Sequence, residues 1–256
     1  MKFSLGCLKD PLDSRDIPMG LVLPVVPIPV SFDFTKSMSP VRNQGQQGTC
    51  VAFASVTGVK EFQDKKEYHK LIRLSPRFLY SLCKKFDGLP QQEGTYPRVA
   101  MKVLLNYGVC HESYWPYLSH KNIPLKGAEQ DAQRFKIKAY ARLKSLLEMK
   151  RSLLINGPFL AGVKVYKSWF SKNVERSGFI PLPKSNEELM GGHAICIAGY
   201  DDKLKVFKFK NSWGTEWADQ GYGYLPYEYM KKYCSDAWSA TDLIENPKAL
   251  VRSRNT

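Results

Sequence analysis

The sequence predicts an α+β chain of two packed lobes, helical in its first half and stranded in its second. Three observations carry this expectation. Between Cys50 and Gly108 apolar residues recur at helical spacing, framed by helix starts and stops. After Asn156-Gly157-Pro158 the pattern changes to short apolar runs bounded by turn residues. No long linker or low-complexity tract separates the halves, so they should meet along one interface, a usual place for a cleft.

Residues 1–28 contain Pro11, Pro18, Pro24 and Pro27 without helical periodicity, with Pro29 directly after them, and read as an extended arm. A main domain is expected over 29–245, its helical lobe spanning about 40–140. There, an amphipathic stretch runs from Cys50 to about Lys65. LSPRFLYSLCKK (74–85) offers Ser75 as N-cap and Pro76 at the first helical position, and YPRVAMKVLLNYG (96–108) stops on a glycine. The second lobe, about 141–245, should open with a helix over about 141–155. The strands FLAGVKVY, HAICIAGY, KVFKFKNSW and GYGYLP follow, forming an antiparallel, barrel-like sheet. Residues 246–256 form a basic tail.

Composition is that of a folded globular protein: 43% apolar, 24% charged and 12% aromatic over 256 residues. The 38 basic and 24 acidic residues leave a formal charge of +14, but the lysines are dispersed. In KLKVFKFK (203–210) alternation sets Lys205 with Phe207 and Phe209 on one face and Val206, Lys208 and Lys210 on the other. No zinc-finger spacing, RNA-binding aromatic motif or continuous basic helix appears, so a nucleic-acid partner is not expected. LVLPVVPIPV is too short and proline-broken to span a membrane, and MKFSLGCLKDPLDSRDIP lacks the apolar core of a signal peptide, which leaves the compartment open. Six scattered cysteines without a CxxC pair suggest neither a disulfide scaffold nor a zinc site. No metal or cofactor is expected, and the chain should be a monomer.

Cys50 ends NQGQQGTC and begins an apolar helical run. A helix N-terminus stabilises a thiolate through its dipole and unsatisfied N–H groups, while Gly45 and Gly48 permit a tight turn that brings the Gln44 amide to the same place. A thiolate nucleophile needs a base, and four histidines are available. His69, His111 and His120 lie in charged or loop stretches and read as solvated side chains. His193 starts an apolar strand after two glycines, where a strand end opening on a cleft would fix its ring. Pairing of HAICIAGY with KVFKFKN across the DDK turn brings His193 to Asn211, whose amide oxygen can orient the ring without cancelling its charge, under cover of Trp213.

Three segments, PVRNQGQQGTCVAFA, MGGHAICIAGY and FKNSWGTEWADQGYGY, resemble in order the nucleophile, histidine and asparagine segments of papain-like (C1 family) cysteine peptidases. The separation of 143 residues between Cys50 and His193 fits the spacing of about 130 to 150 in such enzymes. IPVSFDFTKSMSPV is similar to the start of the mature enzymes, and EGTYPRVAMKVLLNYGV to the stretch lining their non-primed cleft. The resemblance covers about residues 29–227. It implies a papain-like two-lobe fold with the active site between the lobes, and peptide or protein substrates. It makes Cys50 the nucleophile, His193 the general acid/base, Asn211 its orienter, and Gln44 with the Cys50 N–H the oxyanion hole. Gly94, Thr95, Tyr96, Gly192 and Trp213 are the implied substrate-binding residues.

The chain departs from the family at Gln47, where secreted members carry a disulfide cysteine, at Val51 in place of tryptophan, and at Thr95 in place of glycine. A short arm with DPLDSRD in place of a large helical prosegment resembles the bacterial and archaeal branch. Cys196 reads as a core residue, and Cys83 with Cys110 is a candidate pair. The expected activity is that of a cysteine-type peptidase working through a thioester acyl-enzyme. Endopeptidase action is favoured because no His-His insertion caps the cleft; a papain-like acyl transferase and a non-catalytic binding protein are the alternatives. The arm either covers part of the cleft or packs on the back of the second lobe as a stabilising strap.

Overall fold

The computed structural model describes residues 3–242, so the basic tail at 246–256 lies outside the described residues. The first lobe is built on one continuous rod. α1 (Cys50–Phe53) passes without a break into a π-helical segment, Ala54–Lys60, and then α2 (Glu61–Tyr68), which ends at left-handed His69. α3 (Pro76–Phe86) starts where the sequence predicts: Ser75 Oγ accepts the Phe78 N–H at 3.1 Å, and Pro76 takes the first position. α4 (Pro97–Asn106) packs beside it, and α5 (Ala128–Ala132) completes this lobe.

The second lobe is an antiparallel sheet of β1 (Ser31–Asp33), β2 (Ala139–Arg142), β3 (Phe159–Tyr166), β4 (Leu189–Asp201), β5 (Val206–Lys210), β6 (Tyr222–Pro226) and β7 (Cys234–Thr241). The order is β2-β7-β3-β4-β5-β6, with β1 on β4. α6 (Leu146–Asn156), α7 (Lys172–Ser177) and α8 (Tyr227–Tyr233) flank it. The helix expected from residue 141 begins at Leu146, because Ala139–Arg142 is drawn into the ladder by β7 and Ser145 caps the helix through the Glu148 N–H. Neither β1 nor β7 is evident in the sequence. β1 is three residues long, and β7 buries Asp236 and Ser239 on hydrogen-bonding partners, which hides its apolar alternation.

What positions the two lobes is a backbone-close contact between the rod and β4. A Cβ placed on Gly58 would fall 2.4 Å from the Cys196 Cβ, so only glycine lets the helix lie this near the strand. Both elements are buried here, and Cys196 is a core residue. Two lysines are buried nearby. Lys60 Nζ bridges Asp64 at 2.6 Å and Asp242 at 2.5 Å. Lys210, placed by alternation on the face of β5 with Val206 and Lys208, is 2% exposed and donates to the Ser39 and Thr57 carbonyls, each at 2.7 Å. Burial lowers its pKa to about 8. All six cysteines are free, including Cys83 and Cys110.

Gly58→Ala should therefore force the rod off β4, with a loss of about 1–3 kcal/mol typical of overpacking, read as a lower midpoint in urea unfolding. An unchanged midpoint would show that this contact is not tight.

Candidate active site

Cys50 is the first residue of the rod, where backbone N–H groups have no intrahelical acceptor. Backbone groups of Ala194, Gly6 and Val51 lie near enough to its thiol to favour the thiolate. Ala194 follows His193, so the sulfur lies against the start of the strand segment that carries the histidine. His193 and Cys50 are each 0% exposed. The His193 Nε2 is 2.8 Å from Asn211 Oδ1. That oxygen also accepts the Ser212 N–H at 2.8 Å, which fixes which end of the amide faces the ring. Nε2 therefore donates, and Nδ1, without a hydrogen-bond partner, is the basic nitrogen. Trp213, itself buried, stacks on the imidazole at 4.6 Å and 29°.

In this covered state the pair is electrically neutral. Burial pushes the Cys50 thiol up to about 11 despite its N–H donors, and burial pulls His193 down to about 4 although Asn211 favours its charged form.

Gln44 is fixed from several sides. Its N–H donates to the Ser212 carbonyl at 2.8 Å, and its Nε2 donates to the Gln47 carbonyl at 2.8 Å. Ser212 Oγ donates to Oε1 at 2.5 Å, so the amide nitrogen is turned toward the cleft. Sequence reasoning missed Ser212. It is separated from Gln44 by 168 positions, and only its place beside Asn211 could have drawn attention to it.

The arm occupies the seam. Gly6 and Cys7 donate to the Gly192 carbonyl at 3.1 and 3.0 Å, Thr95 N–H donates to the Gly6 carbonyl at 2.9 Å, and Leu8 N–H donates to the Thr95 carbonyl at 3.0 Å. Cys7 and Thr95 form a parallel bridge. Gln44 Nε2 also reaches the Ser4 carbonyl at 3.2 Å, and Phe3 stacks on Trp213 at 4.6 Å and 8°. Such proximity needs residues without side chains: a Cβ on Gly6 would lie 2.1 Å from the Gly48 oxygen, and one on Gly192 2.0 Å from the Cys7 oxygen. Residues 10–30 then cross the second lobe. Arg98 contacts the Pro11 carbonyl, Asp13 and Asp16, and Arg142 holds Asp16 at 3.0 Å. Arg142 N–H donates to the Ile17 carbonyl at 2.8 Å, Met19 is buried, and Tyr200 OH donates to the Pro29 carbonyl at 2.8 Å.

Of the sequence-predicted substrate residues, Thr95 and Gly192 offer backbone groups to the arm and Trp213 offers its ring. Gly94 also lies against the arm, where a Cβ would fall 2.5 Å from the Gly6 oxygen, while its N–H is on Tyr80 OH and its carbonyl on Lys84 Nζ; Tyr96 is the N-cap residue of α4. His111 is not the solvated side chain expected: its Nδ1 lies 2.8 Å from Asp131 and its ring meets Phe135 edge-on. A groove of about 620 Å³ continues from Phe3 and Trp213, with Asn43, Lys172, Arg176 and Glu216 in its walls. Among the described residues one group could gather a metal ion, Asp64, Glu67 and Asp242, and Lys60 already bridges two of the three. No described helix is long and apolar enough to cross a membrane.

Taken together, a buried thiol at a helix N-terminus, an imidazole oriented by an amide, and a fixed amide donor form a set suited to acyl transfer through a thioester. The papain family cysteine protease pattern matches residues 28–240. An uncharacterized peptidase C1-like protein of Acanthamoeba polyphaga mimivirus is 32% identical over 222 residues, 80% of this chain and 71% of that protein. Cathepsin K of Mus musculus is 30% identical, with 77% of this chain and 60% of that protein covered. Xylellain, a cysteine protease from Xylella fastidiosa, superposes with a TM-score of 0.84 at 30% identity, covering 94% of this chain and 97% of that one. The chain belongs to the papain family of cysteine proteases.

Proposed function

We propose that this cysteine peptidase cleaves peptide bonds with Cys50 as nucleophile, His193 as general acid/base, Asn211 as its orienter, and Gln44 Nε2 with the Cys50 N–H as oxyanion hole, and that residues 3–8 are a lid on that site. The observation that carries the catalytic reading is the 2.8 Å bond from His193 to Asn211, which leaves Nδ1 bare beside the strand backbone that meets the thiol. Nδ1 takes the thiol proton, the thiolate attacks the scissile carbonyl carbon, and the oxyanion is held by the two N–H donors. His193 then protonates the leaving amine, the C–N bond breaks, and a thioester remains. Water, deprotonated by His193, attacks the thioester, releasing the acid and restoring the thiol.

The arm supports endopeptidase action, because an extended chain passes from Trp213 to Thr95 and so occupies both sides of Cys50. It also runs the wrong way to be cut. The acyl half of a substrate belongs at Gly94–Tyr96 and the leaving amine beside His193 and Trp213. The arm enters at Trp213 with Phe3 and leaves at Thr95 with Leu8. It fills the cleft, places the Ser4 carbonyl on Gln44 and excludes the water that the ion pair needs.

Cys50→Ala should abolish hydrolysis, with at least a ~10³-fold loss and an unchanged melting temperature, and Gln44→Ala should lower kcat by about 10- to 10³-fold at nearly constant KM. Labelling by a peptidyl epoxide, mapped by mass spectrometry, tests the nucleophile directly. Modification anywhere but Cys50 would sink the catalytic reading.

Removing residues 1–8 should speed epoxide labelling and lower KM with little change in melting temperature. Removing 1–26 should in addition lower stability, since it takes away Met19 and the Ile17 carbonyl. A truncation of 1–8 that leaves the labelling rate unchanged counts against the lid.

Stability at the base of the arm should also fall as pH rises. Asp10 is 2% exposed, and burial followed by the charge of Asp236 raises its carboxyl to about 6 from an ordinary 3.8. The folded chain thus holds a proton that the unfolded chain sheds, so this contribution is full below the unfolded value and is lost as pH climbs through about 6. The measurement is the urea midpoint of Asp10→Asn relative to wild type, which should rise between about pH 4 and about pH 6.5 and then stay flat; a difference independent of pH would count against the raised carboxyl.

A further inference from the structure

Of the proposed catalytic groups, Gln44 sits on a loop, residues 42–49, that leads directly into Cys50 at the start of α1. Its outer anchor is clear. Arg42 Nη2 donates to Glu61 at 2.6 Å and to the Leu74 carbonyl at 2.9 Å, and Nη1 reaches Glu112 at 3.2 Å. The other oxygen of Glu112 accepts the Tyr117 N–H at 2.9 Å, so the segment around Tyr117 is held to the same anchor. The Tyr117 ring meets Phe53 of α1 edge-on at 4.7 Å.

Its hydroxyl then does something specific. It donates to the Gln44 carbonyl at 2.7 Å and lies 2.7 Å from Thr49 Oγ1. A phenol has one proton, and it is used on Gln44, so Thr49 is the donor in the second bond. One side-chain oxygen thereby ties together the two ends of the turn, the residue whose amide faces the cleft and the residue before Cys50. The second bond has a further effect. Thr49 is the N-cap residue of α1, where a threonine hydroxyl ordinarily accepts an N–H from the first turn, yet its side chain makes no such bond. With its hydroxyl directed to Tyr117, the N–H groups at the start of the rod are left to the thiol and to whatever oxygen sits beside it.

We infer that Tyr117 is a positioning residue for oxyanion stabilisation: its hydroxyl holds Gln44 in place and keeps Thr49 from capping the helix that carries Cys50. The inference rests on the catalytic reading above. The loss of this hydroxyl should slow a step that builds charge on a carbonyl oxygen and spare a step that uses the same thiolate without forming a tetrahedral intermediate.

Two reactions of the full-length protein separate these. Amide hydrolysis forms a tetrahedral oxyanion on a carbonyl; opening of a peptidyl epoxide by Cys50 forms a C–S bond at a saturated carbon while the ring C–O bond breaks, and the departing oxygen takes its proton from His193 instead of building charge on a carbonyl oxygen. Tyr117→Phe should lower kcat for a peptide amide by about 10- to 100-fold, a fraction of what losing a whole donor does, with KM and the epoxide labelling rate each within about 2-fold of wild type. Thr49→Val, which removes the partner hydroxyl at nearly constant shape, should show the same split. In a Gln44→Ala background the further effect of Tyr117→Phe should shrink to about 3-fold or less, as expected for groups acting through one another. Parallel loss of hydrolysis and labelling would make Tyr117 a general structural support and overturn the inference, as would unchanged hydrolysis in both single variants. Failure of the catalytic reading itself looks different, since the wild-type protein would then not be labelled at Cys50.

Discussion

The contact on which the site depends is the approach of the Gly58 turn to Cys196. A helix and a central strand are the two stiffest elements available, and here the helix backbone lies directly on the Cys196 side chain of the strand. Once that point is fixed, the helix start with Cys50 and the strand segment with His193 have little freedom relative to each other. The loop 42–49 is then fastened to the strand side by the Gln44 N–H on the Ser212 carbonyl and by the bridge between Asn43 and Trp213. Cys50 from one lobe and His193 from the other, the nucleophile and base proposed above, gain a common frame because the helix presents glycine at this point of the seam.

The same packing sets an electrostatic tension. A dry seam disfavours both the thiolate and the imidazolium, which burial holds at opposite, neutral ends of their titrations. Buried charge elsewhere among the described residues is met by partners: Lys60 has two carboxylates, and Lys210 has two carbonyls and the Ser39 hydroxyl. At Cys50 and His193 burial outweighs the hydrogen bonds, so their charged forms depend on water or another polar partner reaching the seam.

Much of the site was legible because its parts need unusual local chemistry. A cysteine at a helix start behind glycines, a histidine opening an apolar strand, and an asparagine closing the next strand each stand out within a few residues. The helix caps at Ser75 and Pro76 were equally local. Ser212 and Tyr117 were not, since each matters through one bond to Gln44 made across 168 and 73 positions. β7 was hidden for a related reason, its buried Asp236 and Ser239 being satisfied by Arg142 and Ser152 from elsewhere in the chain. Thr95 departs from the family's glycine, yet its contacts with the arm run through its backbone N–H and C=O, which any residue but proline supplies.

The arm is part of the same polypeptide as the cleft it crosses, joined through a path that is itself fastened at Arg98, Arg142 and Ile17. Its ends cannot diffuse apart. As the lid proposed above, it would compete with a free peptide at an effective concentration on the order of millimolar, set by chain geometry and indifferent to dilution of the enzyme. A short contact strip of a few hydrogen bonds, too weak to hold as a separate molecule, can on those terms keep a cleft closed to dilute substrates and yield to concentrated ones.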